Sequence, residues 1–313
     1  MALGRLLAIV GAACAAAAIF PQDALAWTPA THIFLGETVL ANLSQLPETI
    51  AALLRTFPYD FLYGSIAADT SMAKKYAPVG RHCHSWHIGQ RIYDQAETDV
   101  LRAFGLGYLA HLAADTIAHN YFVPRQLVVT SRSIALGHSY WESRFETQLG
   151  PRYAETAMDV IRLGHGAADA HLDQILAPTI FSVRTSRRLF RGMVGVTETQ
   201  SWQRVVRMAD KRSRWEIDDS DLEAYMGRSF QYVMQLLGRD EDASPRRLDP
   251  AGESSLRLAK RMRIQVVKGI TSPPIHELLA QADEHFRMPD TPVPYWEDSK
   301  AQRPWETRAA GPP

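Results

Sequence analysis

The sequence predicts an all-α fold, a multi-helix bundle, and three observations lead to it. Apolar residues recur at helical spacing along most of the chain. No stretch keeps the period-two alternation of a half-buried strand, and no Asn-Gly hairpin signal occurs. Helix-stop residues stand where the periodicity ends, as at Pro47.

Residues 1–26 read as a signal peptide rather than as part of the fold. Arg5 supplies the positive charge, Leu6 to Phe20 is the apolar run, Pro21 breaks it, and Ala24-Leu25-Ala26 forms an A-x-A cleavage site. The run is shorter than the roughly 20 apolar residues that a membrane-spanning helix needs. Cleavage after Ala26 would expose Trp27 as the new N-terminus, and the expected location is periplasmic or secreted. Leu35, Val39, Leu40, Leu43 and Leu46 then fall at helical spacing up to Pro47. Ile88 to Thr116 carries Leu101, Phe104, Leu109 and Leu112, with Asp94, Glu97 and Asp99 for a solvated face. Ala154–Arg162, Ser201–Lys211, Asp219–Leu237 and Ser254–Lys268 repeat the pattern. The expected helical domain is therefore 27–287. Residues 238–254, with Pro245 and Pro250, read as a surface loop within it, and 288–313, with six prolines, as an extended tail.

Charge and cysteine content narrow the function. The 34 basic and 34 acidic residues cancel, which argues against wrapping a polyanion through bulk electrostatics. Of the two cysteines, Cys14 lies in the signal segment, so Cys83 has no partner for an internal disulfide in an oxidising compartment. Stability must then come from the core, from bound metal, or from both.

The histidines point to metal. Seven of the eleven lie between His32 and His138. His111, Asp115 and His119 are spaced i, i+4, i+8, which puts them on one stripe of a helix. His138 and Glu142 repeat the i, i+4 device. Neutral imidazoles converging with a carboxylate make a zinc-type ligand set. Asp115, set among Ala and Leu, would be costly to bury without a partner, and a cation supplies one.

The ordered set Trp27, His32, Asp69, His84, His111, Asp115, His119, His138, Glu142 resembles that of the zinc-dependent phospholipase C family, which is related to the S1/P1-type nucleases. Phe61-Leu-Tyr-Gly-Ser-Ile-Ala-Ala-Asp69 and His82-Cys-His-Ser-Trp-His87 look like bacterial members of the phospholipase group, and the likeness is carried by residues 27–145. The resemblance implies an all-helical hydrolase with three zinc ions. Trp27, His32 and Asp115 would hold one. Asp69, His84, His111 and the bridging Asp115 would hold a second, with His82 and His87 as alternatives to His84. His119, His138 and Glu142 would hold the third. It further implies a phospholipase C, with phospholipid at a membrane surface as substrate and single-stranded nucleic acid as the alternative. A water bridging two zinc ions would be the nucleophile, with Asp69 helping to orient or deprotonate it. Choline-cleaving members carry an acidic residue three positions after the N-terminal Trp and an aromatic after the metal-binding Asp, where this chain has Ala30 and Thr70. A zinc-stabilised helical protein without turnover is the non-enzymatic alternative, and no protein partner is inferable.

Other signals read as structural. Gly105-Leu-Gly107-Tyr-Leu-Ala110 formally fits a dinucleotide fingerprint, but that motif needs a preceding strand where Thr98–Phe104 reads as helix. Small residues for close helix packing are the expectation. Arg184, Arg187, Arg188 and Arg191 fall on one helical face and are expected to be solvated. Trp86, Tyr121, Phe122, Tyr140 and Trp141 are expected to pack around the metal site.

Overall fold

A computed structural model describes residues 27–71, 76–78, 81–131, 138–197, 217, 219–239 and 243–289. Its helices are α1 (Pro29–Ala41), α2 (Glu48–Thr56), α3 (Pro58–Ala67), α4 (Trp86–Asp94), α5 (Asp99–Ile117), α6 (Val123–Val129), α7 (His138–Leu149), α8 (Arg152–Arg162), α9 (Gly166–Ile175), α10 (Val183–Thr197), α11 (Asp219–Arg239), α12 (Glu253–Val267) and α13 (Ile275–Phe286). No strand occurs among the described residues. The all-α bundle is the fold the periodicity predicts.

Local chemistry sets the helix starts that matter for the site. Thr28 caps α1 by accepting from the Thr31 amide, and Pro29 stands in the first turn, where its missing N–H leaves no bond unmade. Thr98 caps α5 in the same way, through the Leu101 amide, and Asp99 complements the dipole there. The stretch 88–116 is consequently two helices rather than one. α4 ends at Asp94, and the chain re-enters a helix only at the Thr98 cap. The first helix likewise stops at Ala41, and a single 3₁₀ turn at Leu43–Gln45 fills the gap before Pro47.

α5 is the axis of the bundle. Every residue from Ala103 to Ile117 is buried, because α3, α4 and α11 pack around it. A helix apolar nearly all round belongs in a core, and it carries His111 and Asp115 into that core. The tightest crossing is with α3. A Cβ on Gly107 would lie 2.1 Å from the Phe61 carbonyl oxygen, and one on Gly64 would lie 2.1 Å from the Phe104 carbonyl oxygen. Gly105 meets the Tyr93 backbone at 2.9 Å in the same manner. The glycines of the 105–110 segment therefore serve helix packing, as expected. Immediately after α5, Ala118–Phe122 forms a π-helical turn before α6 continues; such turns concentrate at functional sites.

The arginine face on α10 is not simply solvated. Arg187 is buried, pairs with Asp169 at 3.1 Å and contacts Asp173, and Arg191 bonds the Asp169 carboxylate at 2.9 Å and the Tyr63 hydroxyl at 3.1 Å. Arg187 and Arg191 thus fasten α10 to α9 and α3, and the exposed Arg184 also lies 3.8 Å from the Asp173 carboxylate. The segment 201–211, read as helix, lies outside the described residues, as do 1–26 and 290–313. Helix α11 continues to Arg239, and a 3₁₀ turn occupies Ser244–Arg247, so only part of 238–254 is loop.

Substitution Gly107→Ala should lower stability by about 1–3 kcal/mol, the usual range for overpacking a tight site. Gly164→Ala, at a position with nothing within 4 Å, should change it little. Urea unfolding of the two variants checks this, and equal stabilities would contradict the packing role.

Candidate metal centre

Four chain segments bring their polar groups to one buried point on α5. His111 and Asp115, one turn apart, face each other with Nε2 and Oδ2 at 3.1 Å. His32 of α1 lies with Nε2 at 3.2 Å from Oδ1 of the same carboxylate. His84, from the loop that leads into α4, places Nε2 at 3.0 Å from Asp115 Oδ2 and 3.1 Å from His111 Nε2. Asp69, in the 3₁₀ turn that follows α3, sets Oδ1 at 3.4 Å from His84 Nε2 and 4.0 Å from His111 Nε2. The rings of His32 and His111 stack at 3.8 Å. All five residues are buried. Asp115 thus offers one oxygen to His32 and the other to His84 and His111.

Neighbouring groups decide which ring nitrogens face this point. His111 Nδ1 donates to the Ser65 carbonyl at 2.8 Å, which turns Nε2 toward the carboxylates. The close α3–α5 crossing brings that carbonyl within reach. His84 Nδ1 lies 3.2 Å from the Cys83 sulfur, and the Cys83 carbonyl accepts from the Tyr108 hydroxyl at 2.8 Å. His119 Nδ1 donates to the Pro250 carbonyl at 2.6 Å. Its ring centre is 6.3 Å from that of His84.

Electrostatics favour a cation at the centre. Burial and the neighbouring His111 push His32 down to about 4, so the ring is neutral near pH 7. Burial raises the Asp115 carboxyl, but the facing His111, His32 and His84 outweigh it and hold the group well below the usual carboxylate range. An ionised carboxylate therefore faces the neutral His32 ring on one oxygen and the His84 and His111 rings on the other. Both Asp115 oxygens and His32 Nε2 are buried and make no hydrogen bond. Leaving such atoms unsatisfied costs about 1–3 kcal/mol each, and more for a charged group. A divalent cation removes the conflict. The donor atoms of His32, His111 and Asp115, and those of Asp69, His84 and His111, each fall within 4.8 Å of one another, which suits a metal ion. Neutral nitrogens with carboxylate oxygens suit zinc among the common metals.

The remaining sequence-derived candidates sit as follows. Trp27 is fully buried, stacks on Phe122 and donates its indole N–H to the Ala114 carbonyl at 3.1 Å, beside Asp115. Glu142 is buried on α7. The side chain of His138, one turn before it, lies outside the described residues. Of the alternatives to His84, His87 is exposed and His82 is half-buried. His82 Nδ1 accepts from the His84 amide, and His82, Cys83 and His84 form a third donor group. His165 and His171 serve packing, since each donates Nε2–H at 2.8 Å to a backbone carbonyl, Val160 and Ile92 respectively. Phe122 and Trp141 are core residues, and Trp86 is tied to the Leu248 carbonyl at 2.9 Å. Sequence reasoning missed the carbonyls of Ser65 and Pro250, because a backbone acceptor leaves no residue-type signal. The glycine pair Gly64 and Gly107 was the nearest available clue to the first.

Replacing Asp115 by Asn should lower zinc content and melting temperature together, since metal binding and folding are linked. Metal analysis and thermal unfolding of the same sample check it, and an Asn variant with full zinc would contradict the role of the carboxylate.

No curated protein and no solved structure matches the chain. A family model described as zinc dependent phospholipase C matches residues 31–183, just under half of the sequence, and that span holds His32, Asp69, His84, His111, Asp115, His119, His138 and Glu142. Residues 31–183 are thus similar to the zinc-dependent phospholipase C family, whose members are phosphodiester hydrolases.

Proposed function

We propose that this protein is an exported phospholipase C that holds three zinc ions and cleaves the glycerol-side phosphoester of membrane phospholipids. The observation that carries the reading is the Asp115 carboxylate, ionised, fully buried and faced by three imidazole Nε2 atoms with no hydrogen bond to either oxygen. Similarity to the family supplies the reaction class.

In this reading Trp27, through its backbone after cleavage at Ala26, His32 and Asp115 hold one zinc. Asp69, His84, His111 and Asp115 hold the second, and His119, His138 and Glu142 the third. Asp115 is the natural bridge, because its two oxygens face different imidazoles. Bound zinc supplies Lewis acidity, which acidifies a coordinated water and takes up charge on phosphate oxygens.

The chain's own groups do the rest. Asp69, a member of the second donor set, orients the attacking water and receives its proton as the oxygen approaches phosphorus. The new P–O bond forms as the glycerol P–O bond breaks, and the diacylglycerol oxygen takes up a proton from solvent water, while the proton held by Asp69 returns to solvent. The carbonyls of Ser65 and Pro250 hold His111 and His119 against rotation throughout. Apolar walls from Trp27, Phe122 and Phe145 exclude water behind the cluster, which strengthens its electrostatics. Ala30 and Thr70 stand where choline-cleaving members carry an acid and an aromatic, which argues against a preference for choline head groups.

Export rests on the segment 1–26. No helix of the described residues is long and apolar enough to cross a membrane.

Protein beginning at Trp27, loaded with zinc and mixed with vesicles of several phospholipids, should release phosphorylated head groups and diacylglycerol. A chelator should abolish both. Zinc-loaded protein that releases neither would overturn the reading, and cleavage of single-stranded nucleic acid by the same sample would replace it with the nuclease. One residue retained before Trp27 should weaken a single zinc site, and titration with a chromophoric chelator reads this. Unchanged zinc binding would remove the N-terminus from the ligand set.

A further inference from the structure

The π-helical turn that carries His119 is held from outside the family-matched segment. Pro250 supplies the carbonyl that accepts from His119 Nδ1 at 2.6 Å. Two residues on, Gly252 adopts φ +58°, and a Cβ there would lie 2.4 Å from both the Cβ and the carbonyl oxygen of His119. Only glycine allows the loop to lie so close, both in space and in backbone conformation. Asp249 shapes the turn with its carboxylate, which accepts from the Ala251 amide at 3.0 Å and the Glu253 amide at 2.9 Å. The Asn120 side chain donates to the Asp249 carbonyl at 2.8 Å and to the Thr116 carbonyl at 2.9 Å, and its oxygen accepts from Ser255 at 3.2 Å. At the other end of the loop, the Leu248 carbonyl accepts from Trp86, two residues past His84.

We propose that Leu248–Gly252 is a positioning clamp that fixes the His119 ring for metal binding and ties it to the His84 segment. This rests on the reading of His119 as a zinc ligand. A ligand imidazole keeps its orientation and its unprotonated nitrogen only when the other ring N–H is held. Here a carbonyl can only accept, so Nδ1 carries the hydrogen and Nε2 is the nitrogen that would meet the metal. The π turn breaks the regular α-helical hydrogen bonding around His119, and the side chain of Asn120 together with the Pro250 carbonyl replaces part of that support. The clamp gives the C-terminal part of the chain a role in the site: it completes a ligand that the first half of the sequence supplies.

The test compares zinc-loaded full-length mature protein with His119→Ala, Asp249→Ala and Gly252→Ala, plus the double variant His119→Ala/Asp249→Ala. Graded competition with a chelator, followed by metal analysis, reads the affinity of each zinc separately from activity. His119→Ala should lose one class of zinc site. Asp249→Ala and Gly252→Ala should weaken that same class about 10–100-fold, as expected for removing support from a ligand histidine, with the other sites unchanged. In the double variant Asp249→Ala should add nothing to His119→Ala, which a purely structural role would not produce. Asp249 is exposed, so its variant keeps the test open where Gly252→Ala fails to fold. Unchanged affinity in Asp249→Ala, with the site lost in His119→Ala, would overturn the clamp alone. Full zinc content in His119→Ala would overturn the ligand reading beneath it.

Discussion

A single buried carboxylate sets the terms for the rest of this structure. Asp115 lies in the last turn of a helix that is apolar for most of its length, and its charge has no route to water. The chain answers with three imidazoles from three other turns of structure rather than with arginine or lysine. That choice sets imidazole nitrogens and carboxylate oxygens against one another. Such an arrangement is unstable by itself and stable around a cation, so fold and metal are bound up in the same free energy.

Bringing the groups together requires unusually close helix contact. Gly64 and Gly107 let α3 and α5 touch backbone to backbone, and the Ser65 carbonyl reaches His111 as a result. Asp69 then follows at the end of α3, carried to the same point. The crossing thus places a ligand candidate and the hydrogen bond that orients another. At the far end of α5 the π turn and the loop around Pro250 do corresponding work for His119. The two supports come from opposite ends of the sequence, and each acts through a backbone carbonyl.

Much of this was legible in the residues. The i, i+4 spacing of His111 and Asp115 needed only helical geometry, and burial of the pair followed from the apolar residues around it. Thr98 is an N-cap by residue type, yet the break it marks was lost in the long periodic stretch 88–116, because periodicity does not register a four-residue gap. The arginines of α10 looked like a solvated face, since the sequence does not show that Asp169 and Asp173 of α9 stand opposite. His82, His84 and His87 were inseparable by type; only the turn that buries His84 against Asp115 distinguishes its ring. The carbonyls of Ser65 and Pro250 were invisible for a simpler reason, as every residue has one.

The central claim is that the atoms around Asp115 hold zinc. Anomalous diffraction from crystals of zinc-loaded protein, collected on both sides of the zinc absorption edge, tests it most directly. The account predicts one peak between His32 and Asp115 and a second among Asp69, His84, His111 and Asp115. Anomalous peaks elsewhere with none beside Asp115 would contradict it.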